Sequence, residues 1–342
     1  MPDISVIIPC HNVADYIDRC LESITSQTIG CAALEIICVD DCSTDDTVEK
    51  LSVWEKNYPE NICLVCLDRN GRQGRARNIG MGYATGEWTA FIDADDWVEK
   101  DYFERLYSRA ETGRYDIVIC GNMRDDGSSG LYAADRGGDP DRELVIDSTA
   151  ARKKLIKENT LKFAAWGRLI KRSFLTENGI YFPEGLAYED IFWGELVNFY
   201  ARSVYISGEK LYHYFVNTSS TVLTKGGEYH PDMLTVNSLL WMELKKRGFL
   251  EEYRDELEYE LIYNGILAFL KVLAYRYEEA PYSLYRLLGA FAAEHIPDYR
   301  DNPYFMAKEF PAFHRDLCDA VFMNMDRQSF NEFIEYVRKI GL

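Results

Sequence analysis

The sequence predicts an α/β fold, a mostly parallel sheet with helices on both faces followed by an α-helical C-terminal region, and two observations carry that prediction. Across residues 4–120, short β-rich apolar runs alternate with helix-period segments as β-α-β-α-β-α-β, the signature of parallel strands joined by crossover helices. From about residue 227 to the end, Leu, Tyr and Phe recur at helical intervals among exposed charges. The chain is large enough for both parts: 342 residues with 47% hydrophobic content can bury a substantial core.

Taken in order, residues 4–9 form a strand that stops at Pro9. Cys10, His11 and Asn12 then lead into a helix whose apolar positions are Val13, Tyr16, Ile17, Cys20, Leu21 and Ile24. Residues 34–39 form the second strand. The polar turn Asp40-Asp-Cys-Ser-Thr44 follows it, and Thr44 or Asp45 can cap a helix carrying Val48, Leu51 and Trp54. After a third strand at 62–67, Asn70-Gly-Arg-Gln-Gly-Arg-Ala-Arg-Asn78 is a glycine-punctuated basic loop running into a helix that ends near Thr85-Gly86. A fourth strand, 88–92, releases Asp93, Asp95 and Asp96 within Phe91-Ile-Asp-Ala-Asp-Asp-Trp97. Three like charges so close together invite a cation, and hard oxygen ligands suit Mn2+ or Mg2+ and hence a diphosphate; the alternative is an acidic helix N-terminus. A helix at 102–110 and a strand at 115–120 complete the alternation.

Ligands on such sheets bind at the carboxyl ends of the strands. The loops 9–12, 40–43, 70–78 and 93–96 all follow strands, so they converge on one edge and one site. Residues 121–148, rich in Gly, Asp, Ser and Arg, read as a loop or hairpin over that site. Between Ala151 and Arg172 stand eight basic residues against Glu158 alone, a solvated helix face with a minority free to meet an anion. Gly185-Leu-Ala-Tyr-Glu189-Asp190-Ile-Phe-Trp193 holds a second acidic pair among apolar and aromatic residues. A domain boundary falls near residue 225.

Composition narrows the function. A formal charge of −18 and a pI near 4.8 argue against a nucleic-acid binder, because a polyphosphate backbone is repelled at long range. The first apolar run is short and has no basic leader, so it reads as a strand and not a signal peptide. No stretch reaches the roughly 20 apolar residues of a membrane span. The nearest, 261–274, is broken by Asn264 and Lys271 and reads as a buried helix, with interfacial membrane contact as the lesser alternative. Nine scattered cysteines suit a reducing cytosol. Cys63-Leu-Val-Cys66 lies in a strand-like run with no second pair, against a metal or redox role.

Five segments together, Ile4-Ser-Val-Ile-Ile-Pro-Cys-His-Asn12, Val39-Asp-Asp-Cys-Ser-Thr-Asp45, Ala76-Arg-Asn-Ile-Gly80, Gly86-Glu-Trp-Thr-Ala-Phe-Ile-Asp-Ala-Asp-Asp96 and Tyr188-Glu-Asp190, resemble the family 2 glycosyltransferases of GT-A fold. The resemblance covers about 1–220. It implies a catalytic domain at 1–225, with a nucleotide-binding half (1–120) and an acceptor half (121–225), and a helical region at 226–342 without a family motif. Pro9, His11, Asn12 and Asp41 are implied to hold the uracil of a UDP-sugar, although many members carry Tyr where His11 stands. Asn70 and Arg77 would contact uridine or diphosphate. Asp93-Ala-Asp95 is the implied DXD motif, with Asp95 on Mn2+ or Mg2+, Asp93 toward the ribose or the metal's water shell, and Asp96 near the donor sugar. His213 is the candidate C-terminal metal ligand, with a structural histidine as its alternative. Asp190 is implied as general base, Glu189 beside it as a catalytic-site residue holding the acceptor or donor sugar, and Trp166 as a sugar platform or a core tryptophan.

The activity expected is that of a cytoplasmic, metal-dependent, inverting hexosyltransferase. It would pass sugar from a UDP-sugar to a saccharide or lipid-linked acceptor, at the inner face of the cell membrane or free of it, with self-association through the C-terminal helices. A sugar nucleotidyltransferase would need a Gly-rich, Arg-containing loop after the first strand, and a nicotinamide dehydrogenase would need GxGxxG there; Pro9-Cys-His-Asn12 is neither. A non-catalytic nucleotide-sugar-binding scaffold is the remaining rival.

Overall fold

The computed structural model describes residues 2–125, 132, 136–216 and 225–341. It divides into two compact units, Met1–Arg152 with Lys162–Gly185 and Trp193–Asn217, and Lys153–Leu161 with Leu186–Phe192 and Thr218–Leu342.

In the first unit, β1 (Ile4–Cys10), β2 (Leu34–Asp40), β3 (Ile62–Cys66) and β4 (Trp88–Phe91) are joined by α1 (Ile17–Thr25), α2 (Thr47–Asn57) and α3 (Arg72–Tyr83). These strands lie parallel in the order β3-β2-β1-β4. Strand alternation explains their burial on both faces: Ile4, Val6 and Ile8 join the core that takes Cys20, Leu21 and Ile24 of α1, while Ile7 points toward α3. There Gly80 is required, since a Cβ at that position would lie 2.5 Å from Ile7 Cγ2.

Beyond β4 the sheet departs from a simple parallel repeat. After β5 (Trp97–Val98) and α4 (Tyr102–Ala110) come β6 (Ile117–Asp125), β7 (Arg142–Val145), α5 (Thr149–Glu158), β8 (Arg168–Lys171), α6 (Arg172–Glu177), α7 (Glu189–Tyr200) and β9 (Ser203–Phe215). The order continues β4-β8-β6-β9-β5, with β7 on β9. Strand β8 is antiparallel to both β4 and β6, and β6 and β9 run parallel. The expected strand at 115–120 therefore exists but does not adjoin the parallel core, because a strand from the basic stretch occupies that place. In the same stretch Arg152 and Arg168 are buried, so the solvated-face reading fails for these two. The loop or hairpin expected at 121–148 lies partly outside the described residues; the end of β6 and β7 are its described strand segments.

The second unit is helical: α8 (Asp232–Lys246), α9 (Arg254–Glu260), a π-helical segment Leu261–Leu267, α10 (Ala268–Tyr275), α11 (Tyr282–His295), α12 (Pro303–Met306), α13 (Ala312–Phe322) and α14 (Arg327–Ile340). Asp326 caps α14 by accepting from the Ser329 N–H at 2.8 Å, and Gly341, at φ 71°, ends it. Ile262, Ile266, Phe269 and Leu270 are fully buried, as expected of a core helix. No helix among the described residues is long and apolar enough to cross a membrane.

Candidate active site

The loops after β1, β2 and β3 start level, since Cys10 pairs with Asp40 and Leu67 N–H donates to the Asp40 carbonyl at 2.9 Å. Side chains then stitch them together. Asn12, in the left-handed region at φ 52°, donates its N–H to Ser43 Oγ at 2.9 Å and accepts from the Thr44 N–H at 2.8 Å. Val13 N–H reaches Thr47 Oγ1 at 2.9 Å. The third loop is tied in by Gly71 N–H donating to Asp41 Oδ1 at 2.8 Å. Asp41 is 2% exposed, and its Oδ2 is buried with no hydrogen-bond partner among the described residues. His11 lies exposed above it. Its Nδ1–H donates to the Asp41 carbonyl at 2.9 Å, which leaves Nε2 to accept from Asn70 Nδ2 at 3.2 Å and Asn12 Nδ2 at 3.3 Å. Pro9 is half-buried at the end of β1.

The acidic turn forms the other half. Arg77, 3% exposed, donates through Nη2 to Asp93 Oδ1 at 2.7 Å. Asp93 N–H donates to Tyr212 Oη at 3.2 Å. That hydroxyl donates to Asp96 Oδ2 at 2.6 Å, and Phe215 N–H donates to Asp96 Oδ1 at 2.7 Å. Burial, with the charges of Asp93 and Asp95, holds the Asp96 carboxyl well above the usual range. Arg19 of α1 lies 3.7 Å over the Trp97 ring and donates to the Asp95 carbonyl at 2.9 Å, clamping the turn from its other side.

The model for glycosyl transferase family 2 matches residues 5–179. The chain belongs to glycosyltransferase family 2. It is 31% identical over 279 residues to EpsH of Bacillus subtilis, provisionally named a glycosyltransferase, covering 79% of this chain and 77% of EpsH. It is 25% identical over 320 residues to the poly(ribitol-phosphate) beta-N-acetylglucosaminyltransferase TarS of Staphylococcus aureus, covering 92% of this chain and 53% of TarS. With GlyA of Streptococcus pneumoniae, a glycosyltransferase, the match is 30% over 64% of this chain but only 31% of GlyA. Among solved structures, residues 1–349 of S. aureus TarS in complex with UDP share the fold at TM-score 0.67 and 19% identity, covering 100% of this chain and 92% of that one. A mannosyltransferase of Pyrobaculum calidifontis in complex with GDP-Man and Mn2+ follows at TM-score 0.50 and 18% identity, covering 95% and 88%.

In this glycosyltransferase two expectations are corrected. Asp96 is 1% exposed with both oxygens bonded to β9, so it braces the acidic turn and does not face a sugar. His213 is 1% exposed and stacked on Trp97 with ring centroids 4.7 Å apart. Its Nε2 is 3.0 Å from Glu99 Oε1 and its Nδ1 is 3.4 Å from Asp125 Oδ2, so the structural alternative describes it and not a metal ligand. Among the described residues no group of three or more His, Cys, Asp or Glu side chains is gathered to hold an ion.

Trp166 is half-buried and stacks on Tyr212 at 4.8 Å, beside the acidic turn. Glu189 and Asp190 open α7 and belong to the second unit; Glu189 is fully buried and Asp190 half-buried. Sequence reasoning missed Arg19 and Tyr212. Arg19 looks like one charge on an amphipathic helix and carries no local signal. Tyr212 neighbours His213, and since successive strand residues face opposite ways, the tyrosine and not the histidine faces Asp96.

Proposed function

We propose that this glycosyltransferase moves a sugar from a UDP-sugar to a hydroxyl of a saccharide or lipid-linked acceptor with inversion, in the synthesis of a surface polysaccharide, glycolipid or glycopolymer. The observation that carries the donor assignment is the buried, unpartnered Oδ2 of Asp41. An acceptor without a donor is costly, and the uracil imide N–H supplies what it lacks. His11, Asn12 and Pro9 surround the base, and Asn70 holds the His11 ring. The UDP and UDP-GlcNAc complexes of TarS support a donor of this class, and the polymer-glycosylating names of the relatives support the acceptor class. The nine unpaired thiols accord with a reducing, cytoplasmic setting.

A divalent ion fits the acidic turn. Mg2+ or Mn2+ with a nucleotide is ordinarily held by one or two carboxylates, completing its shell with phosphate oxygens and water, so a three-residue cluster is not required. Asp95 is assigned as the ligand. Asp93, whose Oδ1 is fixed by Arg77, is aimed at the ribose or the ion's water shell. The ion would supply charge neutralisation on the departing UDP. Arg77, expected on the uridine or diphosphate, is 3% exposed and paired with Asp93, so its assigned part is to act through that carboxylate, and Trp166 offers a ring face to the donor or acceptor sugar.

Asp190 takes the proton from the acceptor hydroxyl as it attacks the anomeric carbon opposite UDP, with buried Glu189 in support. A positioned base contributes about 10²–10⁴ in rate. The test is UDP release from a panel of UDP-sugars with Mn2+, with and without chelator. Turnover of one donor that falls on chelation is expected, whereas tight UDP binding with no turnover of any donor would overturn the reading.

A further inference from the structure

The residue before the acidic pair of α7 is held in an unusual conformation. Tyr188 has φ 63°, the left-handed region, which is unfavourable for a side-chain-bearing residue. Such strain persists only where neighbours over-determine it, and it gathers at functional sites. Within the second unit those neighbours are identifiable. Tyr188 Oη lies 2.8 Å from His230 Nδ1. His230 is fully buried between Tyr229, at a centroid distance of 4.9 Å, and Tyr277, at 5.6 Å. One residue earlier, Ala187 N–H donates to Asp232 Oδ2 at 3.0 Å. Asp232 is the first residue of α8, and His230 lies two residues before it. The segment that carries them is itself fastened to the end of α10, where Gly226 N–H donates to the Arg276 carbonyl at 2.6 Å. Tyr277 Oη donates to the Gly227 carbonyl at 3.3 Å.

We infer that His230 and Asp232 are positioning residues for the Glu189–Asp190 pair, and that they give the helical C-terminal region a part in catalysis. The buried imidazole and the helix-leading carboxylate hold the 187–188 backbone in its strained path. That path fixes the direction in which the first turn of α7 presents Asp190. A freed Tyr188 would relax to an ordinary conformation and swing the following carboxylate. Misplacement by about 1 Å costs on the order of 10²-fold in rate, while groups that hold the nucleotide are untouched. The inference rests on Asp190 being the base.

The test compares Tyr188→Phe, His230→Ala, His230→Gln and Asp232→Asn with Asp190→Asn in the full chain. Three quantities are read: amide hydrogen exchange at 186–192, UDP binding with Mn2+, and UDP release from the donor that the panel identifies. Expected are faster exchange at 186–192 and a loss of turnover of about tenfold or more for Tyr188→Phe and His230→Ala, with the UDP dissociation constant within twofold of wild type. Gln at 230, which keeps an acceptor for the tyrosine hydroxyl, should recover part of both. Unchanged exchange and turnover in Tyr188→Phe and His230→Ala would overturn the inference. So would parallel loss of UDP binding and turnover, the mark of general unfolding. Full transfer by Asp190→Asn would instead sink the base assignment, and the exchange data would show separately whether the anchor exists.

Discussion

Asp41 keeps one buried carboxylate oxygen without a partner, at a cost of roughly 1–3 kcal/mol for an unsatisfied group. Asp41→Asn preserves an acceptor for the Gly71 N–H but turns an amide donor toward the base. The expected result is a melting temperature within about 2 °C of wild type and UDP binding weaker by about 10–100-fold, with the preference for UDP over CDP reduced. Calorimetric titration of the two nucleotides checks both. A second residue couples the fold to pH. Burial pushes the Glu195 carboxyl from its ordinary 4.5 up to about 7, against the opposing hydrogen bond from Asn198 and the charge of Arg152. The folded chain then holds a proton that the unfolded chain has released, so this group's contribution falls as pH rises from about 4.5 through about 7. Glu195→Gln removes the penalty: its melting temperature should exceed wild type at pH 8 and match it near pH 5, and thermal scans at both values read the crossing.

Among the elements, α3 is tightly constrained, because Gly80 lets it approach β1 closely enough to seat Arg77 beside Asp93. Gly80→Ala forces the new methyl against Ile7 or pushes the helix away. A destabilisation of about 1–3 kcal/mol is expected, visible as a shift in denaturant midpoint, together with weaker UDP binding as Arg77 moves. The loops after β1 to β4 were legible in the sequence because apolar period and turn chemistry mark each strand-loop-helix unit locally, even though β4 itself pairs with the distant β1 and β8. Strand β8 was not. Four residues, Arg168-Leu-Ile-Lys171, inside a basic stretch carry no strand signal of their own, and their place between β4 and β6 is decided by partners far away in the chain. The same distance misled the reading of Asp96 and His213. Their orientation follows from the pairing of Trp97 with His213 and Val98 with Tyr212, which no window around Asp93–Asp96 reveals.

At the scale of the molecule, nucleotide binding should report itself as stability. UDP with Mn2+ at a hundred times the dissociation constant adds about 2.7 kcal/mol to the state that binds it. A thermal scan should show an upward shift that a chelator reduces, and no shift at saturating UDP would argue against the site. The formal charge of −18 gives the nucleotide no long-range attraction, so affinity rests on local contacts.

The antiparallel seat of β8 also sets a schedule for biosynthesis. Every residue proposed to hold the base has been synthesised once the chain reaches Asn70. The acidic turn, made only sixteen residues after Arg77, gains its last braces when β8 has filled the gap beside β4 and β9 has delivered Tyr212 and Phe215. At about 5–20 residues per second that interval lasts roughly 6–25 s. During it the nascent chain carries three crowded carboxylates on a turn held by Arg19 and Arg77, and the residues proposed for the uridine precede those proposed for the diphosphate.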